Sequence, residues 1–181
     1  MYIVLFGAPG VGKGTQAQLL AERKNFAHLS TGDEFRRNMR EETELGKLVK
    51  PIVQSGNLVS DEIVSRIVTD ALSQERFSNG CIFDGYPRTT NQAQYLDSFL
   101  QSRNTPITKV VNIEVDEDNI VSRLLQRGRV DDTEQVIRER LAIYQNETAP
   151  LLEYYQNQNI LVSVNGVGQL EEVYNRIVSV L

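Results

Sequence analysis

The stretch Gly7-Ala8-Pro9-Gly10-Val11-Gly12-Lys13-Gly14-Thr15 sets four glycines around one lysine, directly after the apolar run Tyr2–Phe6. Glycines let successive backbone N–H groups turn toward an anion, a following helix adds its positive end, and a lysine supplies a full charge. A strand, this loop and then a helix make a phosphate-binding loop, with Lys13 aimed at the outer phosphates of a nucleotide. The alternative, a glycine-rich turn with an incidental lysine, leaves the combination of strand, spacing and charge unexplained. The general pattern places Ser or Thr directly after the lysine, but here Gly14 precedes Thr15. A Mg²⁺ ion is therefore expected to be held largely through water and phosphate oxygens. Asp84, closing the apolar run Cys81–Phe83, is expected to face the phosphates as an outer-shell anchor for Mg²⁺ or its waters, or else to be a turn residue before Gly85.

Arginine supplies most of the 19 basic side chains. Arg36, Arg88, Arg123, Arg127, Arg129 and Arg140 recur where loops should meet the phosphate loop, and the planar guanidinium grips phosphate oxygens in pairs. Arg123 and Arg127 are four apart and share one helix face. Any one of them could instead belong to a solvated face, paired with Glu117 or Asp118. Their number argues for two anionic substrates, because phosphoryl transfer between nucleotides gathers many negative charges and is catalysed chiefly by positioning and charge stabilisation. A phosphate acceptor is already anionic and needs no general base, and the only histidine, His28, reads as structural.

Alternating strand and helix must position these groups. Tyr2–Phe6, Cys81–Phe83, Lys109–Val115 and Ile160–Val164 read as strands buried on both faces, with a weaker fifth at Ala27–Leu29. Helical patterns cover Lys13–Arg23, Glu62–Glu75, Asn91–Ser102, Glu117–Gln126, Gln135–Gln145 and Leu170–Val180. Asp116 is expected to cap the helix after it, Asp132 with Gln135 to cap the next reciprocally, and Pro150 to break that helix near Thr148. Ser30–Val59 differs, with two helical segments, about Thr31–Arg40 and Glu44–Gln54, and no strong strand between them. The expected fold is three-layer α/β: a five-stranded parallel sheet, helices on both faces and a small helical insert.

A chain of 181 residues holds one well-buried core, and 40% hydrophobic with 24% charged residues is ordinary for a globular protein. The net charge of −5 gives no general attraction to nucleic acid or acidic membranes, so an anionic ligand must be captured locally. One cysteine, Cys81, forms no internal disulfide and no metal cluster, which points to a reducing compartment. The opening residues carry no charged leader, and their apolar run is too short for a signal peptide or a membrane span. A cytoplasmic monomer is expected.

Together, Gly7–Gln16, His28-Leu29-Ser30-Thr31-Gly32-Asp33, Asp84-Gly85-Tyr86-Pro87-Arg88, Arg123–Asp132 and Asn165-Gly166-Val167-Gly168 resemble the adenylate kinases of the short-lid type, from Tyr2 to the last residues. The resemblance implies reversible, Mg²⁺-dependent transfer of the terminal phosphate of ATP to AMP, giving two ADP. It divides the chain into a core (1–29, 60–126 and 133–181), an AMP-binding insert (30–59) and a very short lid loop (127–132). It assigns Gly10, Val11, Gly12, Lys13, Gly14, Thr15, Arg123, Arg127 and Gly168 to ATP. Thr31, Arg36, Asn57, Leu58, Val59, Gly85, Tyr86, Pro87, Arg88 and Gln92 fall to AMP, with Arg129 and Arg140 on the AMP side or at the transferring phosphate. Thr31-Gly32-Asp33-Glu34 also reads as a capping box, and the Gln92 amide suits an adenine edge as donor and acceptor together. Relatives acting on UMP and CMP typically carry Ala and Asn at those two positions, so adenine is favoured. Only Gly128 separates Arg127 from Arg129, which leaves open which nucleotide each arginine faces. The cysteines of a zinc-bearing lid are absent. The rivals are a UMP/CMP kinase and a nucleotide-binding regulator, although no guanine-reading Asn-Lys-x-Asp motif occurs.

Overall fold

The structure is a computed structural model, and it describes residues 1–129 and 132–181; Val130 and Asp131, within the expected lid loop 127–132, lie outside the described residues. Five strands, β1 (Tyr2–Phe6), β2 (Ala27–Ser30), β3 (Cys81–Asp84), β4 (Ile107–Glu114) and β5 (Leu161–Asn165), form one sheet in the order β2-β3-β1-β4-β5. Every pairing is parallel, from Val4 beside Phe83 and Val110 to Asn112 beside Ser163. All of β1 is buried, which is why it reads as a continuous apolar run rather than an alternating one. The period of two appears in where its residues go. Tyr2, Val4 and Phe6 enter one apolar cluster, and Ile3 and Leu5 enter the other, on the opposite face.

The first cluster packs the sheet against α4 (Asp61–Leu72), α5 (Thr90–Ser102) and α8 (Leu151–Asn157). The second packs it against α1 (Lys13–Lys24), α6 (Glu117–Arg127), α7 (Glu134–Ile143) and α9 (Leu170–Val178). This is the expected three-layer fold. Among the described residues, no helix is long and apolar enough to cross a membrane.

Three local expectations are corrected. The N-cap of α7 is Thr133, whose Oγ1 accepts from Val136 N at 3.4 Å, not Asp132. The Asp132 side chain has no exposure and binds arginines instead. The helix α2 (Thr31–Arg40) is capped by Ser30, whose Oγ accepts from Asp33 N, so the capping box assigned to Thr31 is one residue late. Ser30 ends a strand with extended backbone, as an N-cap requires, and Thr31 is thereby left to bond elsewhere. Finally, α7 passes into a π-helical turn, Tyr144–Thr148, that ends at Thr148 as expected, but Pro150 then caps α8, where no helix is expected from the sequence. Proline is tolerated at a helix start because its missing N–H has no intrahelical partner there.

The helix α3 (Glu44–Gln54) crosses α2 backbone to backbone at Gly46. A Cβ there would lie 2.0 Å from Asn38 O and 2.8 Å from Met39 N. Neither atom is the end of a flexible side chain, so the helices would have to part. Gly46→Ala is expected to lose about 2 kcal/mol, and so to lower the melting temperature by roughly 4–8 °C. Calorimetry checks this, and an unchanged melting temperature would show that the two helices slide freely.

Candidate active site

In a parallel sheet ligands gather beyond the carboxyl ends of the strands, at the point where the connections diverge to opposite sides. Here that point is the end of β1, between β3 and β4, and a cleft of about 810 Å³ opens there. The phosphate loop forms its floor. Gly7, Gly10 and Gly12 all have positive φ, so the loop takes a path that side chains would resist. A Cβ on Gly7 would also lie 2.5 Å from Ile113 O. Val11 does not line the cleft. Its side chain is buried beneath the loop with 2% exposure, anchoring the floor to the core, and only its backbone is left to meet a phosphate.

Lys13 Nζ donates to the Gly7 and Ala8 carbonyls at 2.7 and 2.9 Å. Burial lowers its pKa to about 8, against the opposing pull of Asp84. Asp84 stands at the end of β3, with its Oδ2 3.7 Å from His28 Nε2, beyond hydrogen-bond length. Burial alone would raise its pKa, but His28, Lys13 and Arg88 outweigh this, and the carboxyl is held below its ordinary value. A Cβ on Gly14 would come within 3.2 Å of Asp84 Oδ2. The residue that departs from the general loop pattern is thus the one that lets this carboxylate approach the loop.

The cleft is strongly cationic despite the acidic chain. Lys13, Arg36, Arg88, Arg123, Arg127, Arg129 and Arg140 all line it, against the carboxylates of Asp33 and Asp84. Most of these arginines are held in place by other groups. Arg36 pairs with Asp33 at 2.5 Å, and Arg123 donates to Gly166 O at 3.3 Å from Nη2. Arg127 grips Asp132 through Nε at 2.8 Å and Nη2 at 2.6 Å. Asp132 also accepts from Arg129 N at 3.1 Å and lies 3.6 Å from Arg140 Nη1. Its carboxyl is held below the ordinary value: burial acts upward, and the bonds from Arg127 and Arg129 with the charge of Arg140 act downward more strongly. Asp132 therefore gathers the arginines of both flanks of the short loop.

Arg88 is anchored differently. Its Nε donates to Gly85 O at 2.8 Å, its backbone N–H to Gln92 Oε1 at 2.7 Å, and its carbonyl accepts from Thr148 Oγ1 at 2.9 Å. Among the described residues no carboxylate forms an ion pair with it. Gly85 O also accepts from Thr31 Oγ1 at 2.9 Å, so Thr31 and Arg88 meet on one carbonyl. Thr31, Asn57, Leu58, Val59, Gly85, Tyr86, Pro87 and Gln92 all line the cleft, as do Gly10, Gly12, Gly14, Thr15, Arg123 and Arg127. Gly168 is not brought into the cleft. It sits with positive φ in the turn after β5, at the sheet edge, against Glu172.

The sequence reading missed Asp132 as a site residue, and the signal available was a carboxylate three to five residues after two lysine-poor, arginine-rich positions, Arg127 and Arg129. It also missed Asp61, whose oxygen takes the Gln92 amide at 2.7 Å, and for which local sequence gave no signal. His28 lines the cleft with a buried Nε2 that has no hydrogen-bond partner among the described residues.

Known proteins carry the same pattern. Residues 5–160 match the family model for adenylate kinase. An adenylate kinase of Flavobacterium psychrophilum is 46% identical over 99% of this chain and 97% of its own length. Another, from Mycolicibacterium smegmatis, is 46% identical over 100% of this chain and 99% of its own. The adenylate kinase 1 of a Nostoc species is 45% identical over 99% and 97%. Full-length identity at this level, added to a phosphate loop facing an arginine-lined cleft, means that the chain belongs to the adenylate kinase family.

Proposed function

We propose that the chain catalyses reversible transfer of the terminal phosphoryl group of ATP to AMP, giving two ADP. The observation that carries this reading is that Lys13 and the phosphate loop line the same cleft as Thr31, Arg88 and Gln92, together with Arg36, Arg123, Arg127, Arg129 and Arg140. In this reading Lys13 and the amides of Gly10–Thr15 hold the ATP phosphates, and Arg123 and Arg127 flank them. Arg36 and Arg88 hold the AMP phosphate. Arg129 and Arg140, drawn toward the same place by Asp132, neutralise charge on the group in flight. Gly168 serves ATP only from the rim, through the turn that Arg123 touches at Gly166.

Mg²⁺ enters with ATP as part of the substrate. The residues fit such an ion: the Asp84 carboxylate faces the loop across Gly14. Asp84 would hold waters of the ion, and the ion would neutralise charge on the phosphates.

Residues 30–59, which contain α2 and α3, are the part that closes over AMP in this reading, and the loop 127–132 is the lid. Closure excludes water, the competing acceptor. The working form is a monomer, since one chain supplies the whole cleft, and the cytoplasm suits its single buried thiol, Cys81.

An acceptor panel with ATP as donor tests the reading. AMP is expected to exceed UMP and CMP in kcat/KM by on the order of 10³-fold, because a buried amide and hydroxyl built for one base are left unpaired by another. A preference for UMP or CMP would overturn the use made of Thr31 and Gln92. Absence of ADP formation, in folded protein that binds both nucleotides, would overturn transfer itself.

A further inference from the structure

If Gln92 reads the base of AMP, as proposed above, its amide is an ambiguous reader. The nitrogen donates and the oxygen accepts, and a half-turn about the last side-chain bond exchanges them. One orientation matches adenine, whose ring nitrogen accepts beside an amino group that donates. The other matches a 6-oxo purine such as hypoxanthine, whose ring N–H donates beside a carbonyl that accepts. Whatever fixes the amide therefore fixes the base.

Gln92 is 2% exposed and is held at both ends. Nε2 donates to Asp61 Oδ1 at 2.7 Å, and Oε1 accepts from the backbone N–H of Arg88 at 2.7 Å. A carboxylate only accepts and a backbone N–H only donates. Exchanging the amide ends would set oxygen against oxygen at Asp61 and donor against donor at Arg88. Asp61 is itself held by Thr89, whose Oγ1 lies 3.0 Å from each carboxylate oxygen and also accepts from Gln92 N at 3.2 Å. The Tyr86 hydroxyl, 3.1 Å from Ser65 Oγ, donates to the Gln92 carbonyl at 3.3 Å. Backbone and side chain are both fixed. One N–H of Nε2 and one lone pair of Oε1 remain for a ligand.

We propose that Asp61 is a specificity-determining positioning residue: its hydrogen bond to Gln92 Nε2 locks the amide in the adenine-reading orientation and so disfavours 6-oxo purine monophosphates. This rests on Gln92 being the base reader. Asp61 opens α4, far in sequence from the residue it directs, and it acts on the acceptor only through that amide.

The test measures kcat/KM for AMP and for inosine monophosphate, at saturating ATP, in the wild type, Asp61→Asn, Gln92→Ala and the double variant. Asparagine keeps the shape but can donate as well as accept, so half of the lock is removed. The preference for AMP is expected to fall about tenfold in Asp61→Asn, the low end of what a hydrogen bond to a charged group contributes. The loss should lie mainly in KM for AMP, with KM for ATP moving less than about twofold. In the Gln92→Ala background the same substitution should leave the preference where it is. An unchanged preference in Asp61→Asn, beside a fall in Gln92→Ala, would overturn the role of Asp61 and leave the reading of Gln92 standing. Equal falls on both backgrounds would show that Asp61 acts by another route and would also overturn it. An unchanged preference in Gln92→Ala would overturn the base reading and this proposal together. NMR of the wild type gives a second measure that needs no variant fold at Asp61. The Gln92 side-chain amide, assigned by its absence in Gln92→Ala, is expected to show one proton protected from exchange, and rapid exchange of both would overturn the lock.

Discussion

Arg88→Ala is expected to lower kcat/KM for AMP on the order of 10³-fold while moving the affinity for ATP less than about threefold. In the proposed function this guanidinium grips the AMP phosphate, and the magnitude is that of losing a preorganised forked donor at a charged group. The substitution is unusually clean. Both bonds that pin this stretch of chain use backbone atoms, Arg88 N to Gln92 Oε1 and Thr148 Oγ1 to Arg88 O, and alanine keeps them. What disappears is the guanidinium and its contact with Gly85 O. Arg88→Lys separates charge from geometry, since an ammonium restores the charge without the fork, and it is expected to recover less than a tenth of the lost activity. Steady-state kinetics with AMP varied, together with ATP titration, decide the matter. A loss smaller than tenfold with AMP, or an equal loss of ATP affinity, would remove Arg88 from the acceptor side.

Lys13→Met is expected to cost roughly 10³-fold in kcat, because the ammonium is the one full charge embedded in the loop that holds the outer phosphates. The same residue gives a signature in pH. Burial has lowered its pKa to about 8, so above that pH the empty cleft holds Lys13 mostly neutral. Phosphate oxygens favour the charged form, and ATP binding must then be accompanied by uptake of a proton. The sign follows directly: ATP affinity falls as pH rises through and above about 8, and proton uptake on binding grows over the same range. Calorimetric titration in buffers of different ionisation enthalpy measures both. Lys13→Met should abolish this component of the pH dependence. An unchanged pH slope in the variant would assign the proton to another group.

Both predictions concern residues that the sequence reading had singled out, and the reason is physical. A phosphate loop is local: its strand, glycines, lysine and helix are adjacent in the chain, so Gly7–Thr15 could be placed before any tertiary contact was known. Strands buried on both faces read as apolar runs wherever they sit, and the ends expected for β1, β3 and β4 lie within two residues of those in the structure. Arginines at the ends of elements are expected to meet the phosphate loop, and Arg36, Arg88, Arg123, Arg127, Arg129 and Arg140 do line one cleft with it, as do Thr31 and Gln92.

The partners of those residues were not legible. Nothing near Gln92 announces Asp61, which lies 31 positions earlier. Near Asp132 two readings compete, a cap for the helix that follows and a partner for Arg127 five residues earlier, and only the packing decides for the arginine. The capping box at Thr31 was a sound local pattern displaced by one residue, because Ser30, still extended at the end of β2, was better placed to cap. Helix α8 escaped because Pro150 reads as a stop, and only burial of Leu151 and Tyr155 in the core shows that it is a start. The sheet, the phosphate loop and the kind of charge that must surround it follow from local pattern and residue chemistry, and so are written in the order of the residues. Which buried acceptor each donor finds is set by the folded chain. That choice is made where a polar group has lost water and must bond to whatever the packing of distant elements brings within reach.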